Sequence, residues 1–428
     1  MEKRLTEAPQ TSAQEWRAHW PLVLAATFGL SFGAMPAVTL GLFMQPLNAE
    51  FGWSASQVAL GMTIFALITT PLTPFAGALV DRYGARAVGL PGIALTGLMF
   101  AAFAVMGGPL WHWFAVWVLY SLVSLGIRTP VWNSAVSASF SAGRGFAIAI
   151  VISGMAVTQM LAPTIAHWLI ENSGWRSAYL GIGIGWGGLG FVLVLLFFHD
   201  ARSKRGLAKA SSAGEPPREL PGGLTLREAL RNPRILRIAL AVFLQSIIGA
   251  AVVVHLVPLL GTTGLTRGQA AGLAGALGVG SFIGKLLSGW LVDNFRFSLL
   301  PFAAFALPGL GYGLLLLVPG SLPVSALAVF LAGMGGGAGL QITIYLTTRY
   351  AGVAHFGKIF GLISSLMGLA GGFGPLIGGI IFDTTGSYTA LLLLAIPVAF
   401  AAGLSVAGLG PYPTFPPIQR SDSGAAAG

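Results

Sequence analysis

Gly77-Ala-Leu-Val-Asp81-Arg82-Tyr-Gly84-Ala-Arg86 closes one long apolar run and opens the next, with one acid and two arginines packed around a glycine turn. Its first half returns as Gly289-Trp-Leu-Val-Asp293, again at the end of an apolar run. Pro163, followed by Gly174 and Tyr179, returns more loosely as Pro375, followed by Gly386 and Tyr388. Most of these anchors share an offset of about 212 residues in a chain of 428. One register over half a chain reads as a parallel pseudo-repeat, with a ligand site expected at mid-depth between the halves.

Outward from this turn, apolar runs broken by Gly, Pro and charge give twelve spans of membrane length. Their limits are 20–45, 57–80, 87–108, 112–139, 145–168 and 178–199, then 235–260, 268–292, 297–319, 322–347, 357–381 and 387–410. The chain is 55% hydrophobic and only 8% charged, where soluble domains carry about 25% charged residues. The runs are continuous rather than alternating, which excludes a β-barrel. The expected fold is an all-α membrane protein with twelve transmembrane helices in two six-helix pseudo-repeats. An N-terminal tail (1–19) precedes bundles at 20–199 and 234–410, joined by a basic linker (200–233) and followed by a tail (411–428). The linker is expected to hold one short amphipathic helix near Leu224–Leu230.

Charge placement predicts orientation. Lys3, Arg4, Arg17, Arg82, Arg86, Arg144, the linker, Arg296, Arg349, Lys358 and Arg420 gather on one side, and only Arg176 and Arg267 on the other. The positive-inside rule puts both termini and the linker in the cytoplasm of a plasma (inner) membrane protein. It also explains the net charge of +10 without nucleic acid. There are no cysteines, so no disulfide framework or thiolate chemistry arises. No short h-region with a cleavage site is found near the N-terminus, so a cleaved signal is not expected. No metal-ligand spacing, nucleophile elbow or phosphate loop is present. The Gly333–Gly339 cluster lies inside a span and reads as close helix packing. An enzyme, a cofactor and a metal are therefore not expected.

Two cations stand out. Arg128 in the fourth span and Lys285 in the eighth lie at membrane depth, and no span carries a carboxylate there. Each costs about 2.5–3.5 kcal/mol to hold in a bilayer centre, so an anion arriving from outside is the simplest compensation. A guanidinium grips a carboxylate bidentately. On a continuous helix Ser121, Ser124 and Trp132 would share the face of Arg128. The alternative is that Arg128 bonds backbone carbonyls as a gating residue. Ser281 and Ser288 share the face of Lys285, whose alternative is snorkelling toward the surface. Gln341, Tyr345 and Asn133 are candidate ligand-orienting groups, with interhelical bonding as their ordinary role. His255 is the remaining titratable group for a coupling proton, and a hydrogen-bonded structural histidine is its commoner fate.

The turn at Gly77–Arg86 resembles the signature loop of the major facilitator superfamily. Three further stretches resemble its monocarboxylate and oxalate/formate branch. They are Pro46-Leu47 with Glu50-Phe-Gly-Trp53-Ser54, Arg144-Gly-Phe-Ala147 with Gly174-Trp-Arg176-Ser-Ala-Tyr179, and Phe356-Gly-Lys358 with Gly374-Pro375 and Phe382-Asp383. The resemblance implies a secondary transporter of a small organic mono- or dicarboxylate, acting as a monomer by proton symport or anion exchange. Alternatives are an exporter of amphipathic drugs or metabolites and a transporter-like metabolite sensor. Gly77, Asp81, Arg82, Gly84, Arg86 and Asp293 become a conformational latch under it. Branch members place an acid four residues before the eighth-helix cation. Here that position is Ser281, so substrate contact carries over to Lys285 while the usual proton route does not.

Overall fold

The computed structural model describes residues 11–199, 222–294 and 299–415; the Asp293 side chain and residues 1–10, 200–221, 295–298 and 416–428 lie outside the described set. Among the described residues the apolar helical stretches are Ser12–Phe51 (α1), Ala55–Tyr83 (α2), Ala85–Val105 (α3), Leu110–Ser139 (α4) and Arg144–Phe197. The last turns at Gly174, whose φ of 81° and ψ of 163° are open to glycine alone, so it is two helices, α5 (144–173) and α6 (175–197). The second half holds Pro233–Thr262 (α7), Arg267–Asn294 (α8), Leu300–Leu317 (α9), Leu322–Ala351 (α10), Phe356–Thr385 (α11) and Thr389–Val406 (α12). Twelve crossings place both ends of the described chain on one face, called the terminal face below; the other is the distal face.

Lipid tails are as apolar as leucine, so helices are held together here by close packing rather than by the hydrophobic effect. The second half shows how. A Cβ at Gly333 or Gly337 of α10 would stand 2.2 or 2.1 Å from the Leu277 or Ser281 carbonyl oxygen of α8. Gly280 and Gly284 answer from α8, against the carbonyls of Phe330 and Met334. Gly335 and Gly339 press on Pro308 of α9 and Gln245 of α7, so one run of glycines seats three neighbours. Substitution of Gly337 by leucine meets backbone rather than a movable side chain. It is expected to destabilise by about 3 kcal/mol or more, read as a lower unfolding temperature in detergent.

The last helix of each half is secured by an arginine on its C-terminal carbonyls, where the helix dipole is negative. Arg86 donates to Leu195 and Phe198 of α6 at 2.9 and 2.7 Å, and Arg237 donates to Ser405 and Ala407 of α12. Glu15, buried in the first turn of α1, accepts from the amides of Ser141, Ala142 and Gly143 and from the Ser141 hydroxyl. One carboxylate thus satisfies the loop entering α5. Glu15→Ala leaves those amides unpaired and is expected to lower stability by about 1–3 kcal/mol, with thermal unfolding as the check. The linker segment is shorter than expected as a helix. Leu226–Ala229 forms one turn under a Thr225–Glu228 capping box, and Gly223 bridges antiparallel to Gly352. The Thr225 amide holds the Glu228 carboxyl below its ordinary range.

The two halves are tied at the distal face. Asp383, at the end of α11, accepts from the Ala55 and Ser56 amides that open α2, at 3.0 and 2.9 Å. Glu171, at the end of α5, pairs with Arg267 at the start of α8, at 3.4 Å. Asp383 and Glu171 stand 212 residues apart, as do Arg267 and Ala55, so these ties are the same contact made twice by the pseudo-repeat. Deeper, the Thr63 hydroxyl donates to the Gly372 carbonyl, and a Cβ at Gly372 would stand 2.2 Å from that of Ala66.

Candidate functional site

The fourth span is continuous in the sequence reading but broken in the structure. Pro130 has no N–H for the Gly126 carbonyl, and its ring excludes a regular turn there. The α-helix stops at Val123, Ser124–Ile127 is a tighter 3₁₀ turn, and Arg128 is extended (φ −71°, ψ 157°) before Thr129–Ser139 resumes. Gly126 makes the break possible to pack: a Cβ on Gly92 of α3 would stand 2.5 Å from its carbonyl oxygen. Arg128 is therefore the N-cap of a half-helix whose N-terminus carries partial positive charge. Its guanidinium lies 4.8 Å above the Phe65 ring, and its Nε is buried with no hydrogen-bond partner.

Arg128 lines a cavity of about 550 Å³ that continues to Gly77 on α2 and Gly361 on α11, each within two turns of the terminal face. Lys285 and Ser281 line a second, of about 460 Å³. Met155, Gln159, Ala250 and Gly371 belong to the walls of both, so these are two lobes of one space between the halves. The offset of 212 maps one lobe on the other: Phe65 on Leu277, Thr69 on Ser281, Met155 on Met367 and Gln159 on Gly371. The charges break that symmetry. Arg128 maps on Leu340 and Lys285 on Thr73, both of them lining residues. Each lobe thus has one cation, at non-equivalent positions. Both cations stand 18 residues along helices that run in the same direction, about 27 Å from the distal face for Lys285 and, with the longer rise of the 3₁₀ turn, about 29 Å for Arg128. Among the described residues neither pairs with a carboxylate.

Other expected site residues lie elsewhere. Trp132 is fully buried, donates to the Ile127 carbonyl at 2.8 Å and packs on Phe198, and it lines neither lobe. Ser124 donates to the Ser121 carbonyl at 2.8 Å inside the first half. Gln341 faces α8, with Nε2 3.8 Å from where a Cβ on Gly289 would stand. Tyr345 lines a separate pocket at the terminal face, accepting from Arg349 Nε at 3.3 Å and donating to the Tyr412 hydroxyl at 3.4 Å. His255 is buried nearer the distal face, its ring nitrogens bonded to the Tyr388 hydroxyl and the Pro375 carbonyl at 2.9 and 2.8 Å. Gln159 and Met155 were not anticipated. Gln159 is an isolated amide in an apolar run, which is the signal that identifies it.

The sequence pattern of the Major Facilitator Superfamily matches residues 22–321 and 262–425. The chain belongs to the major facilitator superfamily. Human monocarboxylate transporter 11 is 28% identical over 418 residues, covering 91% of this chain and 82% of the relative. Rat monocarboxylate transporter 12 is 26% identical over 394 residues, covering 83% and 78%. The fold of this chain is shared with the D-xylose-proton symporter (TM-score 0.70, 13% identity, 92% of this chain and 98% of that one). It is shared too with an inward-facing, unoccupied bacterial homologue of the human lysosomal transporter Spinster (TM-score 0.64, 17% identity, 93% and 95%). This superfamily transporter is an integral, multi-pass membrane protein resembling the monocarboxylate branch. In its signature loop Gly84 takes a φ of 95° and its amide caps α2 at Val80, while Arg86 is committed to α6. Asp81 and Arg82 are exposed at the terminal face, and Gly77 lines the Arg128 lobe. The acid of the repeated turn, Asp293, has its side chain outside the described residues.

Proposed function

We propose that the protein carries a small organic carboxylate across the membrane by alternating access, with the anion held between Arg128 and Lys285. The observation that carries this reading is the pair itself. Two cations at similar depth, on opposite halves, line lobes with common walls, and neither has a carboxylate partner among the described residues. Removing positive charge from water is costly, and a bound anion offsets that cost during the crossing.

Both termini are placed in the cytoplasm of the plasma (inner) membrane, following the arginine and lysine bias. The conformation with distal ties made and the cavity reaching the terminal face is then inward-facing. Rocking the halves about the bound anion would break the Asp383 and Glu171 ties and bring the Gly77–Arg86 turn against the other half. Among the described residues no carboxylate lines either lobe, and both nitrogens of His255 are engaged. These features favour anion exchange over proton symport. Counterflow in proteoliposomes is the test: unlabelled carboxylate inside should accelerate entry of a labelled acid without a pH gradient. No acceleration across a panel of mono-, di- and aromatic acids contradicts transport of this class.

A further inference from the structure

We infer that the preferred substrate is an elongated amphipathic dianion, with an anionic group at each end and an apolar body between. This rests on the carboxylate reading above and narrows it. If both cations served one carboxylate, they would be expected to converge on one lobe. Instead Arg128 lines one lobe and Lys285 the other, at positions the pseudo-repeat does not relate. Their similar depth by helical rise lays such a ligand roughly along the membrane plane, with one end on each half. A ligand so placed couples to the motion of both halves, because each end moves with its own cation.

The space between the cations fits an apolar body. Met155 lines both lobes, and its pseudo-symmetric mate Met367 lines the Lys285 lobe, where flexible thioethers adapt to varied chains. Phe65 lies under the guanidinium and Leu277 occupies the matching place opposite. Gln159 is the polar exception on the common wall. Each lobe, at about 460 and 550 Å³, falls in the range that buries drug-sized ligands, roughly 300–1,000 Å³. A two- or three-carbon acid would leave most of that volume unfilled.

The experiment is equilibrium binding to the full chain in detergent, using straight α,ω-diacids of four to ten carbons and the matching monoacids. At the best spacer length the diacid is expected to bind at least tenfold more tightly than the monoacid of equal length. Arg128→Gln and Lys285→Gln should each erase that preference, while Arg128→Lys and Lys285→Arg, which keep the charge, retain most of it. Equal binding of mono- and diacids at every length overturns the dianion proposal and leaves the carboxylate reading standing. Binding of no acid at all overturns both. The wild-type comparison needs no variant, so a substitution that fails to fold does not rescue the idea.

Discussion

Lys285→Gln is expected to weaken carboxylate binding at least tenfold and to stop counterflow, while the protein still folds and inserts. A hydrogen bond to a charged group contributes about 1.5–3 kcal/mol, which corresponds to a roughly ten- to hundredfold change in affinity. No neighbouring residue inherits the role. The pseudo-symmetric position, Thr73, carries no charge, and the other lining cation belongs to the other lobe. The variant also removes an unpaired cation from membrane depth, so its unfolding temperature should stay level or rise. That pairing of outcomes, lost binding with kept stability, separates a ligand contact from a structural lysine. Titration of the purified protein with the panel of acids, alongside thermal unfolding, reads both. A tight-binding, transport-competent Lys285→Gln would remove the residue from the site.

Gly372→Leu is expected to drive the two halves apart at the distal face. A branched side chain there meets Ala66 of α2 where a Cβ alone would already stand at 2.2 Å, and the Met62 carbonyl lies at 3.0 Å. Overpacking of a tight contact costs about 1–3 kcal/mol, and separation of the halves relieves it. The distal ties that oppose separation are few. The exposed Arg267–Glu171 pair contributes only about 0–1 kcal/mol, and the solvent-exposed Asp383 contact about 1.5–3 kcal/mol at most. Population of the distally open state should therefore rise roughly tenfold. The chain has no cysteine, so Leu42→Cys, at a position buried on α1 near the α7 contact, reports opening without background. Faster labelling by an impermeant maleimide in the Gly372→Leu chain is the predicted result. Unchanged labelling would mean that the distal seal does not depend on this contact.

The helix inventory was legible because membrane length and apolar continuity are properties of the sequence itself. Arg128 and Lys285 were legible for the same reason, as charges where hydrocarbon tolerates none. Their neighbours were read less well, and the cause is local. Ser121, Ser124 and Trp132 were assigned to the face of Arg128 by counting along an unbroken helix. Four residues of 3₁₀ turn at Ser124–Ile127 rotate the register by about 80°, since each residue advances about 120° rather than 100°. The extended Arg128 then sets its guanidinium over the Phe65 ring of α2. Tyr345 lies elsewhere for a simpler reason: it follows Thr343, the last α10 residue lining the Lys285 lobe, by two residues, about 200° round the helix, and so faces the terminal-face pocket instead.

The repeat held more than was taken from it. The offset that relates Gly77 to Gly289 also relates Met155 to Met367 and Gln159 to Gly371, which are walls of the cavity. It relates Asp383 to Glu171 as well, which are the two distal ties. Depth and register are encoded in the sequence. That each acid crosses the interface to meet a helix start of the other half depends on tertiary docking, which hydropathy does not report.

The most direct measurement is the location of a bound acid carrying a heavy atom, such as an ω-bromo carboxylate, by anomalous diffraction or cryo-electron microscopy of the full chain. The account predicts ordered density between Arg128 and Lys285, against Met155 and Gln159, with the carboxylate on one of the two cations. Density confined to another cavity, such as the Tyr345–Arg349–Tyr412 pocket at the terminal face, would contradict it.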